Sequence, residues 1–267
     1  MTNLLISGVG GVVLSVFLAI IILLFMICVH ELGHFIAGRI LGFKINEFAI
    51  GFGPKIFKRR GKKRGTVFSV RAFPLGGFCA FEGEDGEGSD PNAFNNKKPW
   101  KRIIVLVSGA LMNYIVAMLI IIIGFFAFGQ PCYKMGAIAP SETYSSEYSL
   151  QEGDVILSAE GKAAYFGADI IYALSGKSEG DTAVFEVLRG GERVSAEVIL
   201  RSDCNFKNSS EVSKLWRALG SDTYEGEDGN LYWCVTAENV RFPFFQTLGR
   251  SFAYSFKMAG TIFKVLG

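Results

Sequence analysis

His30-Glu31-Leu32-Gly33-His34 spells H-E-x-x-H, a set of residue types and a spacing suited to metal-assisted hydrolysis. Residues i and i+4 share one face of a helix, so both imidazoles can reach a single metal ion. Zinc held in this way polarises a carbonyl and lowers the pKa of its bound water. Glu31 stands beside the two ligands, where a carboxylate can take the proton from that water. The chain has only two histidines, and the motif uses both. A catalytic zinc takes three protein ligands and keeps a fourth position open. With no third histidine, an Asp or Glu must complete the set. Cysteine offers no substitute, because Cys28, Cys79, Cys132, Cys204 and Cys234 form no C-x-x-C. Cys204 and Cys234 could pair, although their spacing alone does not place them together.

The elements that must position this motif are apolar. Half of the 267 residues are hydrophobic and 19% are charged, too apolar for an ordinary soluble domain. Leu4 to Val29 and Ile103 to Phe128 carry no charge, and each exceeds the roughly 20 residues that span a bilayer. Neither run contains the missing acidic ligand. The first run is longer than a signal-peptide core of about 7–15 residues, is not preceded by Lys or Arg, and leads to no cleavage site, so it reads as a retained helix. It is predicted to continue through His34 to about Leu41 and to stop near Gly42. Ionisable groups at such a depth are costly and are functional candidates by default. Between the runs lie Lys55, Lys58, Arg59, Arg60, Lys62, Lys63 and Arg64, then Lys97, Lys98, Lys101 and Arg102. By the positive-inside rule this connection is cytoplasmic and the chain after Phe128 lies outside. A net charge of +2 gives no nucleic-acid signal; the expected environment is a lipid bilayer.

The connection reads as β-structure from Phe43 to Phe81. Gly51-Phe-Gly53-Pro54 and Gly61 to Gly65 serve as turns, and Thr66 to Phe73 as a strand. Glu82 to Asp90 is an acidic, glycine-rich loop, and Trp100 is an interfacial anchor before the second span. Past Phe128 the composition is that of a small mixed domain. Gly153 to Leu157 is a turn feeding a strand, Ala168 to Ser175 a helix, and Ala183 to Arg189 with Arg193 to Leu200 paired strands. Ser202 to Gly229 reads as polar and irregular, Leu231 to Thr236 as one more strand. The tail from Phe244 is predicted to be an amphipathic helix.

These residues resemble the site-2 proteases, zinc intramembrane proteases of regulated intramembrane proteolysis, in their bacterial RseP/RasP type. The resemblance rests on several motifs in order. They are His30 to Phe35, Gly51 to Lys55, Phe73-Pro-Leu-Gly-Gly-Phe78, Ser108-Gly-Ala-Leu-Met-Asn113 and Leu150 to Ile156. It implies a multi-pass membrane protein with an α-helical transmembrane core, a membrane-associated β-hairpin loop and an extracytoplasmic mixed α/β PDZ-like domain. The expected divisions are helix 1 at 1–42, the β-like loop at 43–100, helix 2 at 101–129, the PDZ-like domain at 130–202, an irregular extension at 203–243 and an amphipathic helix at 244–267.

The resemblance further implies that His30 and His34 bind Zn2+ and that Glu31 is the general base. Gly76 and Gly77 are implied to pair with an unwound substrate strand, though an ordinary glycine turn is also open. Asn113 is implied to make a polar contact with substrate or helix; a hydrogen bond between helices fits equally. The implied substrates are single-span membrane proteins of the anti-sigma-factor or remnant-signal-peptide type. Relatives of this kind carry the third zinc ligand as the Asp of a Leu-Asp-Gly motif on a later helix. The only Asp-Gly pair after the PDZ-like region, Asp228-Gly229, lies in a polar stretch after Glu227. The chain is therefore expected to be a piece of a longer protease. The competing expectation is a catalytically incomplete membrane scaffold whose PDZ-like domain binds partners.

Overall fold

The structure is a computed structural model that describes residues 9–62, 65–84, 86, 88–139, 150–207, 211–226 and 229–266. Lys63 and Arg64 of the basic cluster, Asp85 and Glu87 of the acidic loop, and Glu227 and Asp228 lie outside the described residues. The chain divides into two compact units, residues 1–120 and 121–267.

The first unit is built on two long helices, α1 (Val9–Ile40) and α2 (Pro99–Phe128), the second of which runs on into the other unit. Both are long and apolar enough to cross a membrane, and almost nothing in their apolar windows is buried. A core helix of a soluble protein would be mostly covered. The 32 residues of α1, rising about 1.5 Å each, exceed the roughly 30 Å of a hydrocarbon core. One end of the helix is therefore free to carry polar groups.

Between the helices, β1 (Ile45–Arg60) and β2 (Val67–Phe81) pair antiparallel. The register is irregular, and Phe48 lies opposite both Cys79 and Phe68. Gly51 and Gly53 take φ of +86° and +84°, a region that favours glycine. They sit in the turn expected at Gly51 to Pro54: residues 47–50 and 57–60 both lie opposite 67–70 but in opposite order, so the chain reverses within β1 between Ile50 and Lys55. Phe43, Ile45, Cys79, Phe81, Phe94 and Val105 form the core that ties the hairpin to the helices. Glu47 ties the segments on either side of this turn, accepting hydrogen bonds from Lys55, Ser69 and Arg71.

The second unit holds β3 (Gln130–Met135), β4 (Val155–Ala159), β5 (Lys162–Ala163), α3 (Gly167–Leu174), β6 (Thr182–Arg189) and β7 (Glu192–Ile199). There follow α4 (Val212–Ala218), β8 (Thr223–Glu225), β9 (Leu231–Trp233), β10 (Val235–Val240) and α5 (Phe244–Leu266). The main sheet runs β10-β3-β4-β6-β7, with β5 paired to β4. Its core gathers Met135, Ile156, Ile170, Leu174, Phe185 and Leu215. Buried Asp154 receives Arg189 through two hydrogen bonds of 2.7 Å.

Three expectations are corrected here. The stretch read as irregular contains α4, which buries Leu215 and Trp216 and stacks Trp216 near Tyr133. Leu231 to Thr236 is two strands, parted at Cys234, whose N–H and carbonyl are taken by Asp222 and Gly136. Beyond it, β10 becomes the edge of the main sheet. All five cysteines are free, so Cys204 and Cys234 are not bridged.

Candidate metal centre

Helix α1 carries His30 and His34 one turn apart on one face, with Glu31 beside them. Their candidate ligand atoms all lie within 4.8 Å of one another. The imidazoles stand nearly perpendicular, at 80°, with centroids 4.8 Å apart. No other group of three or more such residues close enough to hold a metal occurs among the described residues.

Two glycines let α2 come close enough to complete this face. A Cβ on Gly33 would overlap the Ser108 carbonyl oxygen, so the helices cross backbone against backbone there. A Cβ on Gly109 would sit 2.6 Å from Nε2 of His30 and 2.6 Å from Nε2 of His34. Both Nε2 atoms therefore converge on the space that glycine leaves open. The outer nitrogens face partners instead. His34 Nδ1 is 2.7 Å from the Val105 carbonyl, which also accepts the Ser108 hydroxyl. A carbonyl can only accept, so His34 Nδ1 is the donor in this contact, and in the neutral ring that leaves the lone pair on Nε2. That is the arrangement in which metal-ligating histidines are held. His30 Nδ1 lies 3.5 Å from the Asn113 amide. The convergent Nε2 atoms and the outer nitrogen of His34, committed to a carbonyl, fit a zinc ion.

β2 closes the third side. A Cβ on Gly77 would be 3.6 Å from Glu31 Cγ, and the Cys79 main chain donates toward the Glu31 carboxylate. Gly77 to Phe81 pair with β1 on one side only, among the described residues. Gly76, at φ +149°, is packed under the Phe52 ring with no room for a side chain. A cavity of about 330 Å3 runs past Glu31, His34, Phe78, Cys79 and Glu84. The structure thus brings His30, Glu31, His34, Gly77 and Asn113 to one place, with Gly76 one residue away along the strand.

The profile of Peptidase family M50 matches residues 18–267. The chain belongs to this family, the site-2 proteases. Its M50 relatives include an inferred zinc metalloprotease of Fusobacterium nucleatum, 30% identical over 94% of this chain and 75% of its own length. Another, from Nostoc sp., is 38% identical over 70% of this chain and 54% of its own. The chloroplastic membrane metalloprotease ARASP of Arabidopsis thaliana is 34% identical over 78% and 48%. The M50 chain spans about half the length of the curated relatives it matches first. A solved PDZ domain of an SdrC-like protein from Listeria monocytogenes covers 27% of this chain and 73% of its own, at 22% identity and a TM-score of 0.23.

Sequence reading missed three contributors to this M50 site. Gly109 was hidden inside a small-residue motif, and the signal for it was its position four residues before Asn113, on the same helix face. The Val105 carbonyl has no signature at all, since any residue type supplies one. Glu84 sits in the acidic, glycine-rich loop and lines the same cavity as Glu31.

Proposed function

We propose that this protein is a zinc-dependent intramembrane endopeptidase that cleaves single-span membrane proteins in regulated intramembrane proteolysis. The carrying observation is the convergence of His30 and His34 Nε2 beside Glu31, with the outer nitrogen of His34 committed to a carbonyl. His30 and His34 would hold the ion as neutral imidazoles. Bound zinc supplies a water of lowered pKa and polarises the scissile carbonyl. Glu31 would take a proton from such a water and return it to the leaving amine. The third protein ligand lies outside the His30-Glu31-His34 group, because Glu31 is engaged as base.

A membrane helix hides its peptide bonds in its own hydrogen bonds, so a substrate must unwind before it is cut. The β2 edge from Gly76 to Phe81 offers main-chain groups to the freed strand, beside Glu31. Gly76 and Gly77 keep that edge free of side chains. The protein resides in a cell membrane, with the metal motif at the cytoplasmic end of the first span. Its substrates are of the anti-sigma-factor or remnant-signal-peptide type, and the PDZ-like second unit acts as a binding groove or a size filter. A metal-free scaffold is favoured only by the count of two histidines.

Glu31→Gln in the longest form of the protein should abolish cleavage of a single-span substrate while zinc remains bound. Persisting cleavage removes the proposed role of Glu31. A purified wild-type protein that retains no zinc would favour the scaffold instead.

A further inference from the structure

Zinc binding through Nε2 requires the remaining imidazole proton on Nδ1, and a protonated Nδ1 needs an acceptor. His34 has one in the Val105 carbonyl. For His30 the side chain that meets Nδ1 is that of Asn113, whose amide nitrogen is 3.5 Å away. Two donors would then face each other. The Asn113 carbonyl oxygen, meanwhile, is buried with no hydrogen-bond partner among the described residues. A buried acceptor left without a donor forfeits the hydrogen bonds it made to water. The two ends of an amide exchange by a half-turn about its last bond, and the hydrogen-bond network decides between them. One half-turn gives the orphaned oxygen a donor and the His30 proton an acceptor, and turns the amide nitrogen to the place the oxygen held.

We propose that Asn113 is a positioning residue for the metal centre: its Oδ1 accepts the His30 Nδ1–H and locks the tautomer that leaves Nε2 free for zinc. It does for His30 from α2 what the Val105 carbonyl does for His34 from the same helix. One helix thereby orients both ligands of the other. Val105 and Asn113 are eight residues apart, about two helical turns, so both fall on the face that α2 turns toward α1. The inference rests on the zinc reading of the site. It differs from a contact between Asn113 and substrate, because it acts before substrate arrives and without metal.

The chain's two histidines make the test direct. With histidine labelled by 15N, the metal-free full chain in micelles shows one imidazole signal set for His30 and one for His34. Both are expected as the Nδ1–H tautomer. Asn113→Leu should release His30 from that tautomer while His34 keeps it, His34 serving as the internal check that the helices still cross. Asn113→Asp, which retains an acceptor at the same reach, should preserve it. Zinc affinity, read by competition with a chromophoric chelator, should fall about 10- to 100-fold in Asn113→Leu and stay near wild type in Asn113→Asp. The proposal is overturned if His30 carries its proton on Nε2 in the wild type. It is equally overturned if Asn113→Leu loses cleavage with the tautomer and zinc affinity unchanged, which would assign Asn113 to substrate. If the wild type shows both Nδ1–H tautomers and yet takes up no zinc, the metalloprotease reading fails and the positioning of His30 stands.

Discussion

Gly109→Ala adds one methyl group at the point where both metal-facing nitrogens converge. Its Cβ would lie 2.6 Å from His30 Nε2 and 2.6 Å from His34 Nε2, against 3.4 Å for ordinary contact. Each ring must then retreat by about 0.8 Å, the difference of those distances. Neither can do so freely. His34 is tethered through Nδ1 to Val105 on the same helix that carries the new methyl, and backing away stretches that 2.7 Å bond. The helices cannot part either, because Gly33 already rests on the Ser108 carbonyl. Overpacking of this kind costs about 1–3 kcal/mol, which is about a 5- to 150-fold loss of zinc affinity. The assay is zinc competition against a chromophoric chelator on the full chain in micelles, with thermal denaturation run in parallel. Gly124→Ala on the same helix meets nothing within 4 Å and should leave affinity unchanged. If Gly109→Ala holds zinc as tightly as the wild type, the two Nε2 atoms do not meet over Gly109 and the geometry argued for the centre is wrong.

Other expectations concern the scaffold. Arg189→Met strands the carboxylate of buried Asp154, and should destabilise the chain by about 3 kcal/mol, read as a lowered denaturation midpoint; an unchanged midpoint would refute the pairing. Burial alone would raise the Glu47 carboxyl, but hydrogen bonds from Lys55, Ser69 and Arg71 outweigh it and hold the group at about 2, below its ordinary 4.5. A depressed carboxylate stabilises fully above the unfolded value, so the contribution should be intact above pH 4.5 and vanish as pH falls toward 2. Thermal denaturation from pH 6 to pH 2 should show Glu47→Gln lacking that acid-side loss. Burial pushes the Cys132 and Cys204 thiols up to about 11. Iodoacetamide at pH 8 should therefore spare both in the folded chain and modify both in denaturant without any reductant, since no cysteine is bridged.

The parts of the fold that could be read from sequence are those where one local rule decides. An uncharged run ending in H-E-x-x-H can hardly be other than a long helix, and α1 ends at Ile40, one residue from the expected limit. The strands around Gly190-Gly191 follow from alternation and a tight turn, and they appear within one residue at each end. What escaped reading was decided by distant partners. The segment Val212–Ala218 is too short and too polar in its flanks to announce a helix. It exists because Leu215 and Trp216 fill the core of a sheet made far away in sequence. β10 likewise has little apolar pattern and owes its place to the free edge of β3.

The metal centre divides along the same line. His30, Glu31 and His34 are legible because their spacing on one helix already fixes a common face. The rest of the centre is a property of the crossing between α1 and α2, which no spacing within either helix specifies. A histidine pair on a lone helix could carry its protons on any of four nitrogens. The Val105 carbonyl removes that freedom for His34 from across the crossing. The absent side chain of Gly109 leaves the space in which both Nε2 atoms can meet. The motif names the chemistry, but it is the second helix that turns two histidines into a pair of ligands. A substitution at Gly109 on α2 should therefore weaken zinc as surely as one in the motif itself.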